Sequence, residues 1–97
     1  MSDQREIALA ALGDPMRRRI VERLRASGPS PVGELASALP VGRPAVSKHL
    51  KVLEGAGLVV HRSAGTRNLY VLAPEGFAVL QRWLAGMRED ALQTGDC

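Results

Sequence analysis

The sequence predicts a mainly α-helical domain with one small β-hairpin, and three observations carry that prediction. Apolar residues recur at helical spacing in segments 5–12, 15–26, 43–56 and 74–89. Two short runs, 58–62 and 68–72, are rich in β-branched and aliphatic residues and flank Ser63-Ala64-Gly65-Thr66-Arg67, a stretch that can turn back on itself. Gly and Pro fall mostly between these segments, where they act as punctuation.

Taken in order, the first helix (α1) covers residues 5–12, with Ile7, Ala8, Ala11 and Leu12 on one face, and stops at Gly13. Asp14 is an N-cap and Pro15 the first helical residue of a second helix (α2) over 15–26, whose inner stripe is Met16, Ile20 and Leu24. Ser27-Gly28-Pro29 stops it. A short third helix (α3) lies within 30–40. Ser30 is its expected cap, Pro31 stands in its first turn, Leu35 and Leu39 face inward, and Pro40 ends it. Glu34 sits near its start, where the helix dipole favours an anion.

Val41-Gly42 then turns the chain into a fourth helix (α4) over 43–56. Gly42 is its N-cap, and Pro44 is tolerated because its missing N–H has no helical partner in the first turn. Val46, Leu50 and Leu53 form one stripe, with Arg43, Ser47, Lys48 and Lys51 opposite. Strands β1 (58–62) and β2 (68–72) follow. A fifth helix (α5) opens at Pro74 and carries Phe77, Leu80, Leu84 and Met87 at helical spacing, with Trp83 beside them. The pattern is lost from Asp90, so the tail 90–97 is expected to fray. The expectation is one domain over 1–97 with an ordered core of about 5–89.

Charge narrows the function. The net charge is +3, but the cations cluster: Arg17, Arg18, Arg19, Arg23 and Arg25 in one block, Arg43, Lys48, Lys51, Arg62 and Arg67 in another. Clustered positive charge suits a polyanion, and nucleic acid is the commonest one. The sole cysteine is Cys97, so no internal disulfide is possible. The N-terminus has no signal-peptide pattern, and no apolar run approaches the roughly 20 residues that span a bilayer. No membrane partner and a cytoplasmic location follow by default. No nucleophile–base pair, phosphate loop or paired-carboxylate cleft stands at a readable spacing, so an enzyme is not expected, and no cofactor is called for.

Two helices joined by a tight turn, the second with small and basic residues near its start, make a helix-turn-helix pattern. An arginine-flanked hairpin directly after it makes a wing. The whole reads as a winged helix-turn-helix in the order α1-α2-α3-α4-β1-β2-α5, with double-stranded DNA as its partner. On α4, Arg43 has the fork geometry for guanine, Ala45 can touch a thymine methyl, and Ser47 can bond a base or a phosphate. Pro44 shares that first turn. Lys48 and Lys51 suit phosphates. In the wing, Arg62 and Arg67 flank the Gly65-Thr66 turn and can enter a minor groove or lie along the backbone. His49 reads as a packed structural histidine, and His61 as a surface residue or phosphate neighbour. The run Arg17-Arg18-Arg19 reads as a solvated helix face, one member of which can touch the DNA backbone.

The terminal helices hold more apolar residues than one small core needs: Ile7, Ala8, Ala11 and Leu12 on α1, and Phe77, Leu80, Trp83, Leu84 and Met87 on α5. A homodimer through these helices is therefore expected.

The stretch VGRPAVSKHLKVLEGAGLVVHRSAGTRNLYVL, preceded by LGDPMRRRIVERL, resembles the ArsR/SmtB family of bacterial winged-helix repressors. The resemblance implies a homodimer built from the first and last helices, α4 as recognition helix, and repression through an inverted-repeat operator with release by an inducer. Its α3 metal-sensing members carry a Cys-Val-Cys element where this chain has Pro31-Val32-Gly33-Glu34-Leu35. Its α5 sensing members use an Asp and His pairs, and no histidine follows His61 here. No metal site is therefore expected, and the chain looks closest to metal-independent members, with no inducer evident. The usual Ser or Thr cap on α4 is Gly42, and the frequent Gln beside it is Arg43. Two other readings compete: a ligand- or metal-responsive sensor, and a winged-helix protein-interaction module.

Overall fold

The computed structural model describes residues 3–94. Among them are five helices and one antiparallel hairpin: α1 (Gln4–Leu12), α2 (Pro15–Ser27), α3 (Val32–Ser37), α4 (Arg43–Gly55), β1 (Val59–Ala64), β2 (Arg67–Leu72) and α5 (Pro74–Thr94). This is the winged helix-turn-helix order read from the sequence.

The helix starts follow local chemistry. Asp3 accepts from the N–H of Arg5 and caps α1. Asp14 caps α2, its Oδ1 accepting from the N–H groups of Met16 at 2.8 Å and Arg17 at 3.2 Å, with Pro15 leading the helix. The start of α3 differs from expectation. Ser30 does not cap it; Pro31 occupies the N-cap position, with no side-chain bond. Ser30 instead pairs with the edge of the hairpin, donating its N–H to the Tyr70 carbonyl at 3.1 Å and accepting from the Tyr70 N–H at 2.8 Å. Its buried hydroxyl turns back to the Gly28 carbonyl at 2.9 Å. Competition from the strand removes Ser30 from the helix, and α3 closes at Ser37, before Pro40.

The core is built where the helical stripes meet. Ala8 and Ala11 of α1, Ile20 and Leu24 of α2, Leu35 of α3, Val46, Leu50 and Leu53 of α4, and Leu80 of α5 are buried together with Ala56, Leu58 and Val59. Seating Val59 in this core anchors the base of the wing; the rest of β1 is exposed and projects outward.

The strands are longer than the sequence suggests. Ala64 pairs with Arg67, leaving Gly65 and Thr66 as a two-residue turn. Gly65 has φ 67° and Thr66 does not have a positive φ, the pattern of a type II′ hairpin turn, which needs glycine first. The tail also differs. Helix α5 continues through Asp90 to Thr94 instead of fraying at 90. Arg88, Glu89, Ala91, Leu92 and Gln93 are strong helix formers even without an apolar stripe. Residues 95–97, Cys97 included, lie outside the described residues. The α5 N-terminus is pinned by the Gly76 N–H, which donates to the Gly57 carbonyl at 3.1 Å. No helix among the described residues is long and apolar enough to cross a membrane.

Candidate nucleic-acid interface

Helix α4 divides cleanly into two faces. Val46, Leu50 and Leu53, at spacings of four and three, are fully buried, so the opposite side of the helix faces out. Ser47, Lys48 and Lys51 are exposed, as are Arg43 and Pro44, whereas Ala45 is half-buried. No side chain caps the helix start at Gly42, and an uncapped helix start suits an oxyanion. His49 is half-buried at the edge of the apolar stripe.

The arginines do not all stand free. Arg43 leans back over α3: a Cβ on Gly33 would lie 3.7 Å from its guanidinium carbon. In the wing, Arg67 donates from Nη2 to Glu34 Oε2 at 3.0 Å. These residues, with Thr66, Asn68 and Tyr70, line an open cleft of about 560 Å³ between the wing turn and the α3–α4 corner. Arg62 is exposed and has no ion-pair partner among the described residues.

A second clasp joins wing to helix. His61 Nδ1 lies 2.6 Å from Glu54 Oε2, and its ring tilts against Tyr70, its cross-strand neighbour, at a centroid distance of 5.6 Å. Reading the sequence missed Glu54 as a wing support and Glu34 as a partner of Arg67. Contacts between residues far apart in the chain leave no periodic signal.

The Arg17-Arg18-Arg19 run is not uniformly a solvated face. Arg17 Nε donates to the Ala11 carbonyl at 2.6 Å, and Arg18 Nη1 donates to the Leu12 carbonyl at 2.7 Å. Both guanidinium groups satisfy the unpaired carbonyls that end α1, a structural task. Arg19 stays exposed beside Glu22 and Arg23.

On the terminal helices, Ala8, Ala11 and Leu80, expected at a dimer interface, are buried in the protomer's own core. Ile7, Leu12, Phe77 and Trp83 are half-buried. Leu84 and Met87 are 57% and 52% exposed. Among the described residues, no three His, Cys, Asp or Glu side chains converge as metal ligands would.

A helical body, an outward cationic helix and a β-wing define a winged helix-turn-helix transcription regulator, a DNA-binding architecture and not an enzyme's. A family model described as a helix-turn-helix domain matches residues 12–62. Over 74 residues the chain is 62% identical to the HTH-type transcriptional regulator Rv2034 of Mycobacterium tuberculosis, covering 76% of this chain and 68% of that one. It is 42% identical over 85 residues to the HTH-type transcriptional repressor SmtB of M. tuberculosis, covering 87% of this chain and 62% of the repressor. Among solved structures, it superimposes with a TM-score of 0.72 and 31% identity on the homodimeric winged helix-turn-helix DNA-binding domain Mb0332 of Mycobacterium bovis, a possible ArsR-family regulator, covering 93% of this chain and 82% of that one. The chain belongs to the ArsR/SmtB family of winged helix-turn-helix regulators.

Proposed function

We propose that this chain is a homodimeric transcriptional repressor, acting as a single domain in the cytoplasm, that binds an inverted-repeat operator in double-stranded DNA. In this reading α4 enters the major groove. Arg43 and Ser47 face base edges and Pro44 and Ala45 allow close approach, while Lys48 and Lys51 hold phosphates. The wing, through Arg62 and Arg67 around Gly65 and Thr66, follows the neighbouring backbone. Two copies related by a two-fold axis read two half-sites about one helical turn apart.

The observation that carries the reading is the opposition on α4: Val46, Leu50 and Leu53 are fully buried, and Ser47, Lys48 and Lys51 stand exposed on the other side, while Arg62 of the wing is exposed as well. The repressor assignment draws support from the name of the SmtB relative, and the dimer from the homodimeric Mb0332 domain. Exposed Leu84 and Met87 on α5, with Trp83 and Phe77 beside them, supply a surface for a second copy.

The test is a mobility-shift titration of the DNA upstream of the chain's own coding sequence at several salt concentrations. A salt-steep shift is expected, weakened by Lys48→Ala and by Arg43→Ala with the helical circular-dichroism spectrum intact. Undiminished binding by both variants removes α4 as the reader.

A further inference from the structure

We propose that Glu34 is a built-in competitor for the DNA phosphate: its carboxylate occupies Arg67 of the wing in the free protein and must be displaced when the wing engages a duplex. The inference rests on the reading of α4 and the wing as the DNA face.

The argument is geometric. Arg67 belongs to the wing turn and Glu34 to the first turn of α3, 33 residues apart, yet the guanidinium and carboxylate meet at 3.0 Å. Arg43 lies against Gly33, the residue next to Glu34, so two arginines of the proposed DNA face flank one acidic residue. Glu34 is the acidic residue lining the cleft that Arg43, Thr66, Arg67 and Asn68 share. A carboxylate and a phosphate ask the same thing of a guanidinium, two oxyanion acceptors at charge-assisted hydrogen-bond distance. Arg67 cannot give its fork in full to both.

The exchange is feasible because the pair is open to water. The side chains are 59% and 67% exposed, and such ion pairs are weakly held and screened by salt. A duplex can therefore take Arg67 from Glu34, but it gains less than it would from a free arginine. The freed carboxylate then remains beside the phosphates. Glu34 thus lowers affinity for any duplex, whatever its sequence.

The experiment is a fluorescence-anisotropy titration of the whole chain with a mixed-sequence duplex of about 30 base pairs, long enough for two half-sites. The set is wild type, Glu34→Gln, Arg67→Gln, the double variant and Lys48→Ala, at several salt concentrations. Glu34→Gln is expected to bind about two- to five-fold more tightly, the range that loss of an exposed ion pair allows. The gain is expected to shrink as salt rises, because screening already loosens the exposed Arg67–Glu34 pair of the wild type. The gain is expected to vanish in the Arg67→Gln background. A gain that survives intact there shows plain charge repulsion and overturns the competition for Arg67. No gain, or weaker binding by Glu34→Gln, overturns it as well. Lys48→Ala separates the two failures: if it weakens binding while Glu34→Gln changes nothing, the DNA face stands and only the competitor falls.

Discussion

His61 of β1 and Glu54 of α4 meet at 2.6 Å, Nδ1 to Oε2, so the wing is tied directly to the last turn of the helix that carries the cationic face. A carboxylate only accepts, which places the imidazole proton on Nδ1. The contact fixes the angle between hairpin and helix. His61→Ala is expected to cost about 0.5–1 kcal/mol, as for a half-exposed side-chain hydrogen bond, and to speed amide exchange in both strands of the hairpin. Exchange measured by NMR that stays at the wild-type rate in β1 and β2 denies the clasp its role.

Arg17 is the corresponding tie between α1 and α2. Its Nε reaches the Ala11 carbonyl at 2.6 Å, and its side chain is only 19% exposed. Arg17→Ala leaves that helix end unsatisfied and is expected to lose about 1–2 kcal/mol, roughly 4–16 °C in Tm for a domain of this size. Arg19→Ala, at an exposed neighbour, is expected to leave the melting curve unchanged. Equal melting of the two variants refutes the capping role.

These two contacts mark what the sequence could and could not tell. The burial of Val46, Leu50 and Leu53, the Asp14-Pro15 start of α2 and the Gly65 turn were legible, because each depends on neighbours within a few residues. The fate of Arg17, Ser30, Glu34 and Arg67 was not, because it depends on which distant backbone or carboxylate the fold brings near. A basic residue looks the same in a sequence whether it caps a helix, pairs with glutamate or waits for phosphate. Alanines 8 and 11 show the same limit: periodicity placed them on an apolar face but could not say which of two faces, core or partner, they fill.

Asp14 couples stability to acid. Its carboxyl is held below the usual carboxylate range, chiefly by the Arg17 backbone N–H; burial, the next largest effect, opposes this, and the Met16 N–H and the Arg17 charge lower it further. A carboxyl depressed in the folded state stabilises above its unfolded value, and that contribution is lost as pH falls from about 4 through the folded value. Asp14→Asn is expected to flatten this part of the pH–Tm curve and leave the rest of its shape unaltered. Melts recorded from pH 2 to 7 decide the matter; an unchanged acid limb in the variant refutes the assignment.

Two glycines of α5 make an opposed pair. A Cβ on Gly76 would fall 2.7 Å from the Gly57 carbonyl carbon and 2.9 Å from Leu58 Cδ2, so the helix start and the loop after α4 cannot both stay in place. Gly76→Ala is expected to destabilise by about 1–3 kcal/mol. Gly86 has nothing within 4 Å of the same position, and Gly86→Ala is expected to stabilise by about 0.5–1 kcal/mol through reduced backbone entropy. Chemical denaturation of both variants checks the pair, and shifts of the same sign contradict this packing.

The last prediction concerns the second copy of the chain. Leu84 and Met87 are three residues apart on α5, 57% and 52% exposed, and they continue the stripe whose inner end, Leu80, is buried against the core. Two large apolar side chains held side by side in water favour burial against a partner, at roughly 25 cal/mol per Å² of apolar surface removed from water. Arg5 lies over the Trp83 ring at 5.7 Å, at the border between this stripe and α1. Leu84→Glu is expected to convert a dimer to a monomer in sedimentation at high micromolar concentration while leaving the helical spectrum intact. Gln81→Glu, exposed on the same helix, is expected to leave the dimer as it is. Because one monomer offers one α4, Leu84→Glu is also expected to weaken binding to a two-half-site duplex by about ten-fold or more, with little change on a single half-site. A Leu84→Glu protein that still sediments as a dimer, or a wild type that sediments as a monomer, removes this face from the interface.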